Sequence, residues 1–261
     1  MTSTGSTCRS TLNRVRMLAL VVAIPESRHD RGDVWWGRAM RVRHVGLAIL
    51  AASAMPSVAG AQATTRECGA SEEPGPACLL VRKELLSLPK GNLFWHVDRF
   101  PSKDAAEGAA AAASTFVQAF GSTWLFTIAR ERWRPKGGEH VADIGPLPLT
   151  PSSTYAAEYL RSVFNPGTAA PLHVHSGPEA FYAIDGDTCL ETPDGVQTGR
   201  GPGNTLMIKA GPPMLLMAIG KVPRRGFALI LHDASLPPTT LTQVWHPSGL
   251  CARQLSVDQA R

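Results

Sequence analysis

Two histidines one residue apart, with a glutamate four residues after the second, stand at His173, His175 and Glu179 in GTAAPLHVHSGPEAFYAIDG, residues 167–186. In an extended strand, residues i and i+2 point to one face, so both imidazoles share a side. Ser176-Gly177-Pro178 turns the chain and Glu179 opens the next apolar run, which lets a neighbouring strand bring the carboxylate back beside the rings. Two imidazoles and one carboxylate make a facial set for a divalent metal, with other positions left open. Paired histidines in a strand are weak evidence alone. The glutamate and the bounding glycines, Gly167 and Gly186, make the set far more specific.

Strands must hold such a set, and the surrounding sequence supplies them. From Tyr155 to Asp233, short apolar runs such as EYLRSVF, EAFYAI, NTLMIKA, MLLMAI and GFALILHD alternate with Gly/Pro turns. Strands of four to eight residues at this spacing predict an all-β sandwich or barrel. No 20–50-residue repeat is present. There is no P-loop or G-x-G-x-x-G; GRGPG, residues 199–203, is a turn cluster without a following helix. No Ser/His/Asp arrangement carries a recognisable elbow.

The stretch resembles the first motif of the cupin superfamily: Gly, five residues, His-x-His, three or four residues, Glu, six residues, Gly. Gly167, His173, His175, Glu179 and Gly186 match at every position. The resemblance covers about 80 residues and implies a mainly β fold, a double-stranded β-helix (jelly-roll) barrel, with these three side chains facing its interior and binding a metal. The second motif is degenerate in GNTLMIKAGPPMLLMA, residues 203–218. Gly203 and Gly211 are in place, but Lys209 stands for the usual proline, Met214 for the histidine ligand and Ala218 for the asparagine.

Three readings of a site containing Met214 follow. His173, His175 and Glu179 alone hold Fe, Mn, Zn or Ni, and the methionine lines the pocket. Or the thioether is a soft fourth ligand, which favours copper. Or the site is vestigial and the barrel only binds a ligand. The neighbours Leu215, Leu216 and Met217 also fit Met214 as simple packing. Phe181 shares a face with Glu179 and is a candidate pocket residue. Lys209 and Arg224 are candidates for meeting an anionic substrate, with solvated positions as the plainer alternative. His232 reads as an edge histidine with satisfied hydrogen bonds, and His96 and His140 as surface or loop histidines.

With the histidines inward, Leu172, Val174, Ala180, Tyr182 and Ile184 form an apolar outer face that needs a cover. Residues 62–150 are expected to form an N-terminal α+β segment packing on a barrel of residues 151–240, with a C-terminal tail at 241–261. Within that segment, 92–100 reads as a strand, 101–121 as a helix opened by Asp104 and Glu107 and closed by Gly121, and 122–133 as a second strand. This strand–helix–strand appendage, or a second copy of the chain in a homodimer, is the expected cover.

The net charge of +5 lies entirely before residue 62, where eight Arg and no Lys face three acidic residues. The rest is neutral, giving no electrostatic case for nucleic acid. Residues 40–61 read as a signal peptide: Arg41 and Arg43, an apolar run from Val45 to Met55, then Ala59-Gly60-Ala61. The 39 residues before it read as a mis-called extension. Once the signal is cleaved, no stable membrane span is expected. The mature chain keeps Cys68, Cys78, Cys189 and Cys251, so at least one disulfide fits a secreted or periplasmic protein. Cys68 and Cys78 flank a turn-rich loop, Cys251 is placed to tie the chain ends together, and Cys189 reads alternatively as a buried free thiol.

The leading expectation is an exported metal-binding cupin acting on a small organic molecule. If it is an enzyme, it is of oxygenase, isomerase or lyase type. The rival is a non-catalytic ligand-binding or structural module. No second carboxylate or histidine in the motif stands out as a general base, so no proton carrier is assigned.

Overall fold

The computed structural model describes residues 65–260. The expected extension at 1–39 and signal peptide at 40–61 lie outside the described residues. Two antiparallel sheets face each other. The first has the order β1-β6-β13-β8-β11, made by β1 (Gly75–Leu85), β6 (Tyr155–Phe164), β13 (Arg224–Asp233), β8 (Glu179–Asp185) and β11 (Thr205–Ile208). The facing wall contains β10 (Gly195–Gly199), β9 (Asp187–Thr192) and β12 (Leu215–Ile219), with the pair β14 (Thr239–Leu241) and β7 (His173–His175). Bridges His173↔Met214 and Ala169↔Met217 join that pair to β12. Leu160, Phe164, Phe181, Leu190, Ile208, Met214, Leu216, Ala218, Ala228 and Ile230 fill the space between the walls. They come from alternate positions of their strands, as a two-sheet core requires.

The outer face of the first sheet carries Ala157, Tyr159, Ala180, Tyr182, Phe227, Leu229 and Leu231. A third sheet, β3-β4-β2-β5, covers it. Its strands are β2 (Leu93–Phe100), β3 (Ser114–Ala119), β4 (Ser122–Arg130) and β5 (Glu139–Ile144). Phe126 of this cover lies 5.1 Å from Tyr159 and 5.0 Å from Phe227, ring centroid to centroid. The apolar face is thus covered by the chain itself, and no second copy is needed to cover it.

Several local expectations differ from the structure. The helix expected at 101–121 is only α1 (Lys103–Ala109), and Ser102 is its N-cap, accepting from the Ala105 amide. Ser114–Ala119 instead pairs with β4 through a tight turn whose two residues, Phe120 and Gly121, have φ of 52° and 69°. The β-branched and aromatic residues of STFVQA gain more in that hairpin than the alanines gain by extending a short helix. The expected N-terminal segment at 62–150 contributes β1 to the barrel itself, paired to β6. β5 adds an edge strand to the cover, paired to β2. The C-terminal tail holds α2 (Leu250–Ala260).

Both cysteine pairs are bonded, Cys68–Cys78 and Cys189–Cys251. Cys189 is therefore not a free thiol, and Cys251 binds the tail to β9 rather than to the start of the chain. Glu191 supports the same docking by accepting the Cys251 amide at 3.1 Å.

Candidate metal centre

β7 contributes His173 and His175 from one face, and β8 starts at Glu179. Gly177 makes the connecting turn possible. A Cβ there would lie 2.1 Å from the Leu231 carbonyl oxygen and 2.7 Å from the His232 Cα. Only glycine lets the turn pass this close to β13 and deliver Glu179 beside the rings.

One ligand atom from each of His173, His175 and Glu179 lies within 4.8 Å of the others. The residues are 9%, 4% and 5% exposed. The imidazole centroids are 4.6 Å apart. Each ring is oriented by a backbone carbonyl: His173 Nδ1 donates to Pro171 O at 2.5 Å, and His175 Nδ1 to Pro238 O at 3.0 Å. A carbonyl only accepts, so each Nδ1 carries a proton and each ring turns its Nε2 away from that carbonyl. Carbonyls holding the far nitrogen are the usual outer support of metal-binding histidines.

The donor set fits a cation. His175 Nε2 and Glu179 Oε2 are 2.9 Å apart, yet neither makes a hydrogen bond, although both are buried. Two acceptors at that separation need a positive centre between or beside them. Burial, reinforced by His175, holds the His173 imidazolium below its ordinary pKa. Burial also pushes His175 down, but the Glu179 carboxylate outweighs it and the net shift is up.

Met214 is 1% exposed and packs in the barrel interior. Its amide donates to His173 O at 2.9 Å, which places it directly across from the first histidine. Phe181 is buried in the same interior cluster. Lys209 stands exposed just past β11. Arg224 is fully buried, which excludes a solvated strand entry. Its Nε donates to Thr188 Oγ1 at 2.9 Å and its Nη1 to Ser162 Oγ at 2.7 Å. No carboxylate among the described residues lies within ion-pair distance of it, and Nη2 has no partner. Burial pushes its pKa down to about 10, opposed by Glu179.

Register brings in groups that lie outside the motif. Arg82, Glu158, Ile230 and Glu179 are direct partners across β1, β6, β13 and β8. Directly opposed residues share a face, and Ile230 belongs to the interior cluster, so Glu158 faces inward in the same row as Glu179. His232, two residues beyond Ile230, is 2% exposed and its Nε2 has no hydrogen-bond partner. It is not a satisfied edge histidine. A carboxylate between Ala157 and Tyr159 in a mostly apolar strand was the one sequence signal for Glu158.

On the cover sheet, His96 is fully buried. It contacts Asp143 at 2.5 Å, and His140 contacts Asp98 at 2.9 Å. These histidines belong to a polar network and not to bare surface.

Two facing antiparallel sheets, with His-x-His on one wall and Glu opening a strand of the other, decide the architecture.

The barrel is a mainly β structure of facing antiparallel sheets.

No family model and no curated protein matches the chain. Solved structures align with about a third of it. A cupin superfamily protein from Desulfitobacterium hafniense is 16% identical, with a TM-score of 0.27, over 30% of this chain and 68% of its own. A cupin-like protein from Thermotoga maritima is 15% identical, with a TM-score of 0.30, over 33% and 64%. A DMSP lyase from Ruegeria pomeroyi is 17% identical, with a TM-score of 0.29, over 33% and 43%.

Proposed function

We propose that this cupin is an exported protein that holds one divalent metal ion on His173, His175 and Glu179 and acts on a small organic molecule in the barrel. The observation that carries the reading is the convergence of three buried donors, two of which, His175 Nε2 and Glu179 Oε2, have no hydrogen-bond partner. A bound metal would polarise a substrate oxygen or activate O₂ or water, which suits oxygenase, isomerase or lyase chemistry. Two disulfides support export. No helix among the described residues is long and apolar enough to cross a membrane.

Elemental analysis of the protein, produced with export and without a His tag, tests this. Near-stoichiometric metal that disappears in His173→Ala and Glu179→Ala is the expected result. A metal-free wild-type protein refutes it. That outcome would favour a non-catalytic ligand-binding module, a reading supported by Met214 packing among apolar side chains where the motif's fourth ligand stands.

A further inference from the structure

The motif supplies metal ligands but no proton carrier; the fold adds two inward groups beside them. Glu158 lies two strands from Glu179 in the cross-strand row, about 10 Å between Cα atoms at ordinary strand spacing, and both side chains face the barrel interior. Its Oε1 is 3.5 Å from Arg82 Nε and 3.9 Å from His232 Nε2. His232 Nδ1 donates to the Asp233 carbonyl at 2.7 Å. That fixes the proton on Nδ1 and leaves Nε2 a bare acceptor. A carboxylate and a bare imidazole nitrogen have no proton to share, so they stand just beyond hydrogen-bond reach. One added proton joins them as O–H···N.

We propose that Glu158 is the acid–base residue of the metal site, with His232 Nε2 receiving its hydrogen bond when it is protonated. This deepens the metal-dependent reading and rests on it. An O–H or C–H of the bound molecule gives its proton to a Glu158 oxygen, the bonding electron pair stays on the molecule, and the carboxylic acid later returns the proton. The charged and titratable groups around Glu158 are Arg82 from β1, His175 from β7, Glu179 from β8 and His232 from β13. Burial raises the Glu158 carboxyl, against Arg82 and His175. Burial likewise lowers His232. Both effects shift the shared proton toward the carboxyl side.

The test uses the full chain loaded with Co(II), thiocyanate as probe, and calorimetry in buffers of differing ionisation enthalpy. An anion arriving near Glu158 raises its proton affinity, so wild type should take up as much as about one proton per thiocyanate at pH values between the carboxyl's pKa before and after binding. Glu158→Gln should bind Co(II) at wild-type stoichiometry and take up none. Glu158→Asp should retain uptake. The wild-type infrared difference spectrum should gain a carboxylic-acid C=O band that Glu158→Gln lacks. Uptake that persists in Glu158→Gln, or wild type that binds Co(II) without thiocyanate-linked uptake, overturns the assignment. Failure of wild type to bind Co(II) overturns the metal reading itself, a separate and distinguishable result.

Discussion

Replacing Cys251 with Ser opens the Cys189–Cys251 bond, which closes a loop of 62 residues. In the chain-entropy model, freeing a loop of that length from the unfolded state costs about 4 kcal/mol of stability, against about 2.7 kcal/mol for the 10-residue span of Cys68–Cys78. The two loops do not overlap, so the losses should add. The native side adds little to this, because α2 keeps its packing of Leu255 on Ile219 and its Arg200–Asp258 ion pair. Urea denaturation followed by tryptophan fluorescence reads the difference, since Trp95 and Trp124 are buried between the cover and the barrel. The Cys251→Ser midpoint should fall further than that of Cys78→Ser. A loss below about 1 kcal/mol for Cys251→Ser, or the opposite ranking, would refute the idea that this bond acts by closing a long loop.

Asp98 is fully buried and burial raises its pKa. The folded state therefore holds this proton more tightly than the unfolded state, and the contribution to stability is present at low pH and lost as pH rises through the raised pKa. Asp98→Asn should flatten that decline in urea titrations at about pH 4 and about pH 7, whereas an unchanged slope counts against it. Gly177→Ala should destabilise the fold by at least about 2 kcal/mol, because its Cβ meets β13 backbone that cannot yield. The same variant should lose metal, read by elemental analysis. Met214→Leu conserves volume and should cost less than about 1.5 kcal/mol with metal content intact. A loss of Cu(I) preference in that variant would instead make the thioether a ligand.

The histidine pair and its glutamate were legible because their geometry is local: two residues set one face, and a three-residue turn sets the return. The interior alternation of β8 and β13 was legible for the same reason, since a period of two needs no knowledge of the partner strand. The helix at 101–121 was misjudged because alanine propensity is a weak prior beside hairpin pairing. Lys209, Arg224 and His232 were uncertain because residues near strand ends carry no periodic signal for burial.

What tertiary structure alone decided is the company the motif keeps. Cross-strand register sets Glu158 in the row of Glu179 and brings Arg82 from a strand some 75 residues upstream in sequence, and the fold leaves Arg224 buried without a counter-ion among the described residues. It also chose Cys189 as the partner of Cys251. None of these relations has a local period, because register depends on how whole strands align and on which faces they bury. The sequence by itself determined the chemistry of the three converging side chains; the folded chain determined which other charges face them.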